Sequence, residues 1–374
     1  MTELVAIGLM SGTSLDGVDV AAIKTDGDRK IEIGPALFVP YSRASKVFAR
    51  RAIKAALEGR DGSAEIAEAQ AHLTRANAEA VAQFLAETGA DAREIDVIGY
   101  HGQTILHRPK RNPESVGRTW QLGDGEKLAA LCGIDVVHEF RADDVAAGGE
   151  GAPLTPVYHA ARVAALGRSG PIAVVNIGGV SNLTYVAPGA ADEDLLSFDC
   201  GPGNCLIDEW MEVKNGRAMD EDGAAALAGA AHEETVRLML LHPFIRRAPP
   251  KSADRHDFTL DPQARFSVED GAATLAAVTA RAISESVRFL DAPPAAWIVA
   301  GGGRRNGAIL AALRGHCAAP VLLAEEVGWR GDFLEAECFA YLAVRSLAGA
   351  PITFPRTTRA PRPMTGGRCS RAPK

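Results

Sequence analysis

No apolar run in the chain approaches the roughly 20 residues that a membrane-crossing helix needs. The N-terminus lacks the basic stretch, apolar run and small-residue cleavage site of a secretory leader. Positive charge is not in excess: 40 Lys and Arg stand against 47 Asp and Glu, a formal net charge of −7. That balance argues against nucleic acid or an anionic membrane as partner. No C-x-x-C pair occurs among the six scattered cysteines Cys132, Cys200, Cys205, Cys317, Cys338 and Cys369. Reduced thiols and a cytoplasmic location are therefore expected, and a structural zinc is not. No H-x-x-x-H or H-E-x-x-H spacing offers a direct metal site, and no G-x-x-x-x-G-K-[ST] offers a Walker-type loop.

At 374 residues the chain is long for a single core, so two domains are expected. A content of 47% hydrophobic and 23% charged residues is that of a globular protein. Strand and helix patterns alternate, which predicts an α/β fold. ELVAIGLMSG and GVDVAAIKTDG read as a strand pair around a turn of small residues, and PIAVVNIGGVSNLTYV repeats that pattern near residues 172–186. The stretch from Ala64 to Gly89 reads as a helix stopped by glycine, and Ser267 with Asp270 has the spacing of a helix cap. Asn204 is placed to cap the helix after FDCGPGN. The tail from Arg356 carries six Lys or Arg and no acid, and its far end is expected to be mobile.

Several turns carry chemistry. In the first, Gly12, Thr13, Ser14, Leu15 and Asp16 lead into Gly17, Val18 and Asp19. A turn of this kind is either an ordinary hairpin or a cradle of backbone N–H groups for phosphate. Gly178 and Gly179 pose the same alternative, with the amides of Asn176 and Asn182 on either side. Two such turns suggest a grip on one polyphosphate. Asp199 ends a strand before Gly201-Pro202-Gly203, as either a general base or a turn cap. Cys200 reads as a small packed thiol, having no basic neighbour in sequence. Gly301, Gly302 and Gly303 make a flat strand-to-helix turn, with Asn306 in reach of a ribose or base edge. His101 and Gln103, and Arg141 with Asp143 and Asp144, sit in polar loops after apolar strands. They read either as local contacts or as partners for sugar hydroxyls.

These stretches together resemble the anhydro-N-acetylmuramic acid kinase family of actin-like sugar kinases. The resemblance rests on GLMSGTSLDGVDVA, GYHGQTILHRP, Thr119–Pro156, VNIGGVSNLTYV, FDCGPGN, PPKS, GGGRRN and EAECFAYLA, from Gly8 to about Gly367. It implies two actin-like, ribonuclease H-like lobes around a central nucleotide and sugar cleft. The first lobe would span 1–140 with about 350–374, and the second 141–349. It implies cleavage of the 1,6-anhydro bond of 1,6-anhydro-N-acetylmuramic acid by water and phosphorylation of O6 by ATP with Mg2+. The product would be N-acetylmuramic acid 6-phosphate, in cell-wall recycling. Asp199 would be the base and Glu335 would position the sugar, with His101, Gln103, Arg141 and Asp143 on the substrate side. Gly12 to Asp19, Gly178, Gly179, Gly201, Gly203, Asn204, Gly301 to Gly303 and Asn306 would serve ATP. A homodimer is plausible for such an enzyme.

Departures accompany the likeness. Met10 stands where related sugar kinases carry an aspartate, so magnesium is expected to act through water on Asp16 or Asp19. The family's K-S-T-G-R-E is Lys251, Ser252, Ala253, Asp254, Arg255 and His256 here, and its G-T-T-G is Arg356-Thr357-Thr358-Arg359. The two arginines question any tight backbone role at that turn. Two other functions compete: an ordinary sugar kinase acting on a free hydroxyl, and a non-catalytic actin-like ATPase.

Overall fold

Small residues at both ends of an apolar run allow a strand to turn back on itself. A computed structural model shows this in both halves of the chain, and it describes residues 2–12, 14–110, 116–253, 257–260 and 265–373. Thr13, Asp254, Arg255 and His256 lie outside the described residues. The strands are β1 (Leu4–Ser11), β2 (Gly17–Thr25), β3 (Ile31–Pro40), β4 (Val97–Arg108), β5 (Arg118–Leu122), β6 (Val136–His138), β7 (Ile172–Ile177), β8 (Val180–Val186), β9 (Leu196–Pro202), β10 (Ala296–Ala300), β11 (Val321–Leu323) and β12 (Arg368–Ser370). The chain forms two compact units, one of Met1–Ala165 with Phe333–Lys374 and one of Leu166–Asp332.

The first unit holds a sheet ordered β12-β6-β4-β1-β2-β3, with β5 paired to β4. Ile7, Leu9, Val18 and Val20 bury one face of it against the Arg43–Leu57 and Ala64–Thr88 helices. Full burial of each such side chain is worth about 1.5–3 kcal/mol. The other face is flattened by Gly8 and Gly99, which pair across β1 and β4. A Cβ on Gly8 would lie 1.7 Å from the Ala336 carbonyl oxygen, and one on Gly99 would lie 2.0 Å from that of Phe339. The Leu334–Leu347 helix therefore lies with its backbone directly on the sheet, a fit that only glycine permits.

The second unit holds a sheet ordered β11-β10-β7-β8-β9. Val175, Ile177, Leu183, Phe198 and Cys200 bury one face in a core shared with Trp210, Leu275 and Ile283. The Ser267 side chain caps the Val268–Glu285 helix by accepting from the Asp270 N–H at 3.0 Å, as its spacing predicts.

Three expectations change. The tail is not loose: β12 pairs antiparallel with β6, and the Arg371 guanidinium and Ala372 N–H both bond the Asp135 carboxylate. His101 and Gln103 lie within β4 rather than in a loop, because Gly102 takes φ 75° and lets the strand run on. Residues 141–165 and 333–349 fall in the first compact unit. There Tyr158 and Arg162 of the Pro156–Ala165 helix bond Glu337 of the Leu334–Leu347 helix.

Candidate active site

In the second unit, three glycine turns meet at the end of β7. The Gly203 and Cys205 N–H groups donate to the Gly179 carbonyl at 2.9 and 3.1 Å, and the Asn204 N–H donates to the Gly178 carbonyl at 2.8 Å. The Asn204 amide reaches the Ile177 carbonyl at 3.5 Å instead of capping its own helix. Gly301, at φ 77°, and Gly303 pack on Asn176 and Ile177. Asn306 caps the Gly307–His316 helix, its Oδ1 accepting from Ala308 and Ile309 N–H at 3.1 Å. That oxygen is thereby committed to the fold.

The glycines divide into two sets. At Gly17, Gly203, Gly301 and Gly303 a Cβ would come within 2.4 Å of neighbouring atoms, so packing demands glycine. At Gly12, Gly178, Gly179 and Gly302 the nearest atom would be 3.5 Å or more away, and none has positive φ. The fold makes no demand at these four. Gly12 lies in the first unit and the other three in the second, and at each the bare backbone leaves room for a group to approach. Gly201 is intermediate, 3.0 Å from the Ala282 methyl.

Asp199 sits on β9, just before the Gly203 turn of the second unit, and is 8% exposed. Its Oδ2 accepts from the Ala253 N–H at 2.7 Å, and its own N–H donates to the Lys251 carbonyl at 3.0 Å. Residues 251–253 thus grip the aspartate from both ends, and the bond at 253 is made by the backbone. Lys251 anchors this clamp. Its Nζ donates to the Phe244 and Ile245 carbonyls at 2.9 and 3.1 Å and lies over the rings of Phe198, Phe244 and Phe289. Burial pulls its pKa down to about 8. Burial also pushes the Cys200 thiol up to about 12, which removes it as a nucleophile at neutral pH. Arg304, unforeseen from sequence, donates to the Gly301 carbonyl at 3.0 Å and pairs with Glu325 and Asp332. It braces the third glycine turn.

In the first unit, the Gln103 amide donates to the Gly12 carbonyl at 3.1 Å, tying the first turn to β4. Leu15 and Val18 are buried in the core, so only their backbone is left to face a ligand. Ser14 and Asp16 are exposed, and Asp16 Oδ1 accepts from the Gly17 N–H. Asp19 stands opposite Met10 across β1 and β2. His101 Nδ1 bonds the Gly102 carbonyl, Nε2 accepts from Arg141, and the Phe339 ring packs tilted against the imidazole at 4.6 Å. Arg141 also donates to the Gly151 carbonyl at 2.8 Å. Glu335 precedes Phe339 by one helical turn and shares its side of the Leu334–Leu347 helix. Asp143 is exposed, whereas Asp144 is buried and bonded to the Gly151 N–H and the Thr358 hydroxyl. Arg359 keeps a left-handed φ of 60° and pairs with the buried Glu150 at 3.1 Å.

Burial lowers the pKa of His138 and, further, of two fully buried histidines of this unit. His101 is held well below its usual pKa by desolvation, with Arg141 and His107 adding to it. His159 is pulled to about 3 by desolvation and by Arg162. Below pH 6.5 the unfolded chain takes up these protons and the folded chain does not. The stability from neutral burial is therefore complete above pH 6.5 and falls as pH drops. The slope is about 1.4 kcal/mol per pH unit for each histidine. Urea denaturation at pH 7.5 and 5.5 is expected to show this loss, and His159→Leu to remove its own share of the slope, about 1.4 kcal/mol per pH unit. An unchanged slope in that variant would contradict the assignment.

The comparisons with known proteins bear on this arrangement. A family model for anhydro-N-acetylmuramic acid kinase matches residues 4–371. The chain belongs to the anhydro-N-acetylmuramic acid kinase family. It is 48% identical to the anhydro-N-acetylmuramic acid kinase of Methylobacterium nodulans, over 97% of this chain and 98% of that one. The Rhodopseudomonas palustris (strain BisB18) protein of the same name is 47% identical, over 98% and 100%. Membership makes the chain a kinase. Among solved structures, it resembles an activator of 2-hydroxyisocaproyl-CoA dehydratase from Clostridium difficile with bound ADPNP. That likeness has a TM-score of 0.47 at 12% identity and covers 92% of this chain and 96% of that one. A ROK family glucokinase from Streptomyces griseus in complex with glucose and AMPPNP gives 0.39 at 15%, covering 90% and 98%. Among the described residues, no helix is long and apolar enough to cross a membrane.

Proposed function

We propose that the chain opens the 1,6-anhydro bond of 1,6-anhydro-N-acetylmuramic acid with water and phosphorylates O6 with ATP. The products are N-acetylmuramic acid 6-phosphate and ADP, and the role is cell-wall recycling in the cytoplasm, where ATP is supplied. The observation that carries the reading is Asp199, a buried carboxylate clamped by residues 251–253 beside turns open to phosphate. Asp199 takes a proton from water as the water oxygen bonds to C1. The C1–O6 bond breaks, O6 bonds to the γ-phosphorus, and the bond from that phosphorus to ADP breaks. An acetal oxygen leaves poorly as an alkoxide, and transfer to phosphorus removes that difficulty.

The open backbone at Gly12, Gly178, Gly179 and Gly302 would take the phosphates. Gly201, Gly203 and Asn204 shape the second turn, and Gly301, Gly303 and Asn306 shape the nucleoside side. His101, Gln103, Arg141, Asp143 and Glu335 would serve the sugar. Among the described residues, no three His, Cys, Asp or Glu side chains form a metal cluster. Mg2+ would be held chiefly by nucleotide phosphates, and Asp16 or Asp19 would reach it through water. Bound Mg2+ supplies charge neutralisation on the transferring group. A homodimer belongs to the same reading.

The test is product mass in 18O-labelled water. The anhydro sugar should gain one phosphoryl group and one water, with the label at C1. A product that gains the phosphoryl group alone would identify an ordinary sugar kinase. ATP hydrolysis with the sugar unchanged would identify a non-catalytic ATPase.

A further inference from the structure

Asn182 pairs with Asp199 across β8 and β9, and with Asn176 across β7 and β8. Residues paired in this way project from the same face of a sheet, with Cβ atoms about 4.5–5.5 Å apart. The opposite face is apolar, with Val175, Leu183 and Phe198 in the core. Further along the polar face, the Thr184 and Ser197 hydroxyls bond each other at 3.2 Å, and Ser197 also donates to the Leu183 carbonyl at 2.7 Å. That pair is closed within the fold. Asn182 is not: its Oδ1 is buried and receives no hydrogen bond. Buried acceptors are nearly always satisfied, so one left open beside a buried carboxylate is available to a donor from outside the chain. The register of β8 and β9 breaks at this pair, Ser181 facing Gly201 while Asn182 faces Asp199, with Cys200 as the extra residue. Bulges of this kind re-aim side chains next to active sites.

We propose that Asn182 belongs to the Asp199 centre and that its Oδ1 accepts one O–H of the attacking water. The proposal rests on the hydrolytic reading given above. Water carries two hydrogens. Asp199 removes one while the oxygen bonds to C1 and the C1–O6 bond breaks. The other stays on the new C1 hydroxyl and needs an acceptor that will not remove it. A neutral carboxamide oxygen meets that need, being too weak a base to take the proton. With both hydrogens held, a lone pair of the water is left for C1.

Asn182→Ala should lower kcat about tenfold to a hundredfold. ATP affinity by calorimetry and the thermal midpoint should stay at the parent values. Asn182→Asp keeps an acceptor oxygen but sets a second carboxylate opposite Asp199, and like charges raise each other's pKa. The acid limb of its kcat profile should move up by about one pH unit, with activity recovering above that of Asn182→Ala at high pH. The shift reports only that the two carboxylates are close; a side chain that only packs would leave Asn182→Asp no faster than Asn182→Ala at high pH. If Asn182→Ala does not fold, Asn182→Leu, of similar volume and without an acceptor, takes its place. Near-parent kcat in Asn182→Ala, an Asn182→Asp variant no faster than it at high pH, or an unshifted profile in Asn182→Asp, overturns the proposal while labelled water still reaches C1 in the unaltered enzyme. Absence of label at C1 in the unaltered enzyme overturns the hydrolytic reading and this proposal with it.

Discussion

Asp199→Asn is expected to lose about 10²–10⁴-fold in turnover on the anhydro sugar, the range for a missing general base. ATP affinity should hardly change. The geometry makes this a clean substitution. Asparagine has the same shape, and its amide oxygen can still accept from the Ala253 N–H that holds Oδ2 at 2.7 Å. The strand position survives as well, because the bond from the residue 199 N–H to the Lys251 carbonyl is backbone to backbone. With the oxygen turned to Ala253, the NH2 group of asparagine faces the other way as a donor. Water would then meet a donor where it needs an acceptor. Steady-state turnover with mass detection, alongside nucleotide titration, checks the prediction. Turnover within tenfold of the parent, with binding intact, would remove Asp199 as the base.

What the sequence shows of this site is what local chemistry encodes. The two glycine hairpins were legible because turn residues act over a few positions, and both turns join antiparallel strands. Asp199 was legible as the last polar residue before a glycine-proline turn. The clamp was not, since Lys251 and Ala253 lie about fifty positions away, and nothing in PPKS says that a lysine will be buried among three phenylalanines. The Cys200 bulge was also hidden, because a bulge is a mismatch between two strands and neither strand shows it alone. Gly102 misled in the other direction. Glycine among polar residues reads as a loop, yet here its positive φ keeps a strand running. The tail misled for a similar reason: Arg368–Ser370 has no apolar alternation, because an edge strand that is largely exposed needs none.

The first unit holds a contact of the same hidden kind. Arg162 and Glu337 are 175 positions apart, and they meet at 2.8 Å. The glutamate is fully buried and the arginine side chain is 8% exposed. Tyr158 adds a hydroxyl that donates to Glu337 Oε2 at 2.5 Å and accepts from Arg162 at 2.8 Å. The group fastens the Pro156–Ala165 helix to the Leu334–Leu347 helix, which begins where the chain re-enters the first unit. A buried ion pair is a weak source of net stability, because desolvation offsets the attraction. Removing one partner is a different matter, since the remaining charge keeps its desolvation cost. Arg162→Met is therefore expected to destabilise the protein by about 3–5 kcal/mol, measured by urea denaturation at neutral pH. Adding Glu337→Met should recover much of that loss, because the double variant buries no charge. A single-variant loss below about 1 kcal/mol would mean that water reaches the pair and screens it. The effect should extend to function, since the same helix carries Glu335 and lays Phe339 on His101. Loosening its anchor should raise the KM for the sugar more than that for ATP.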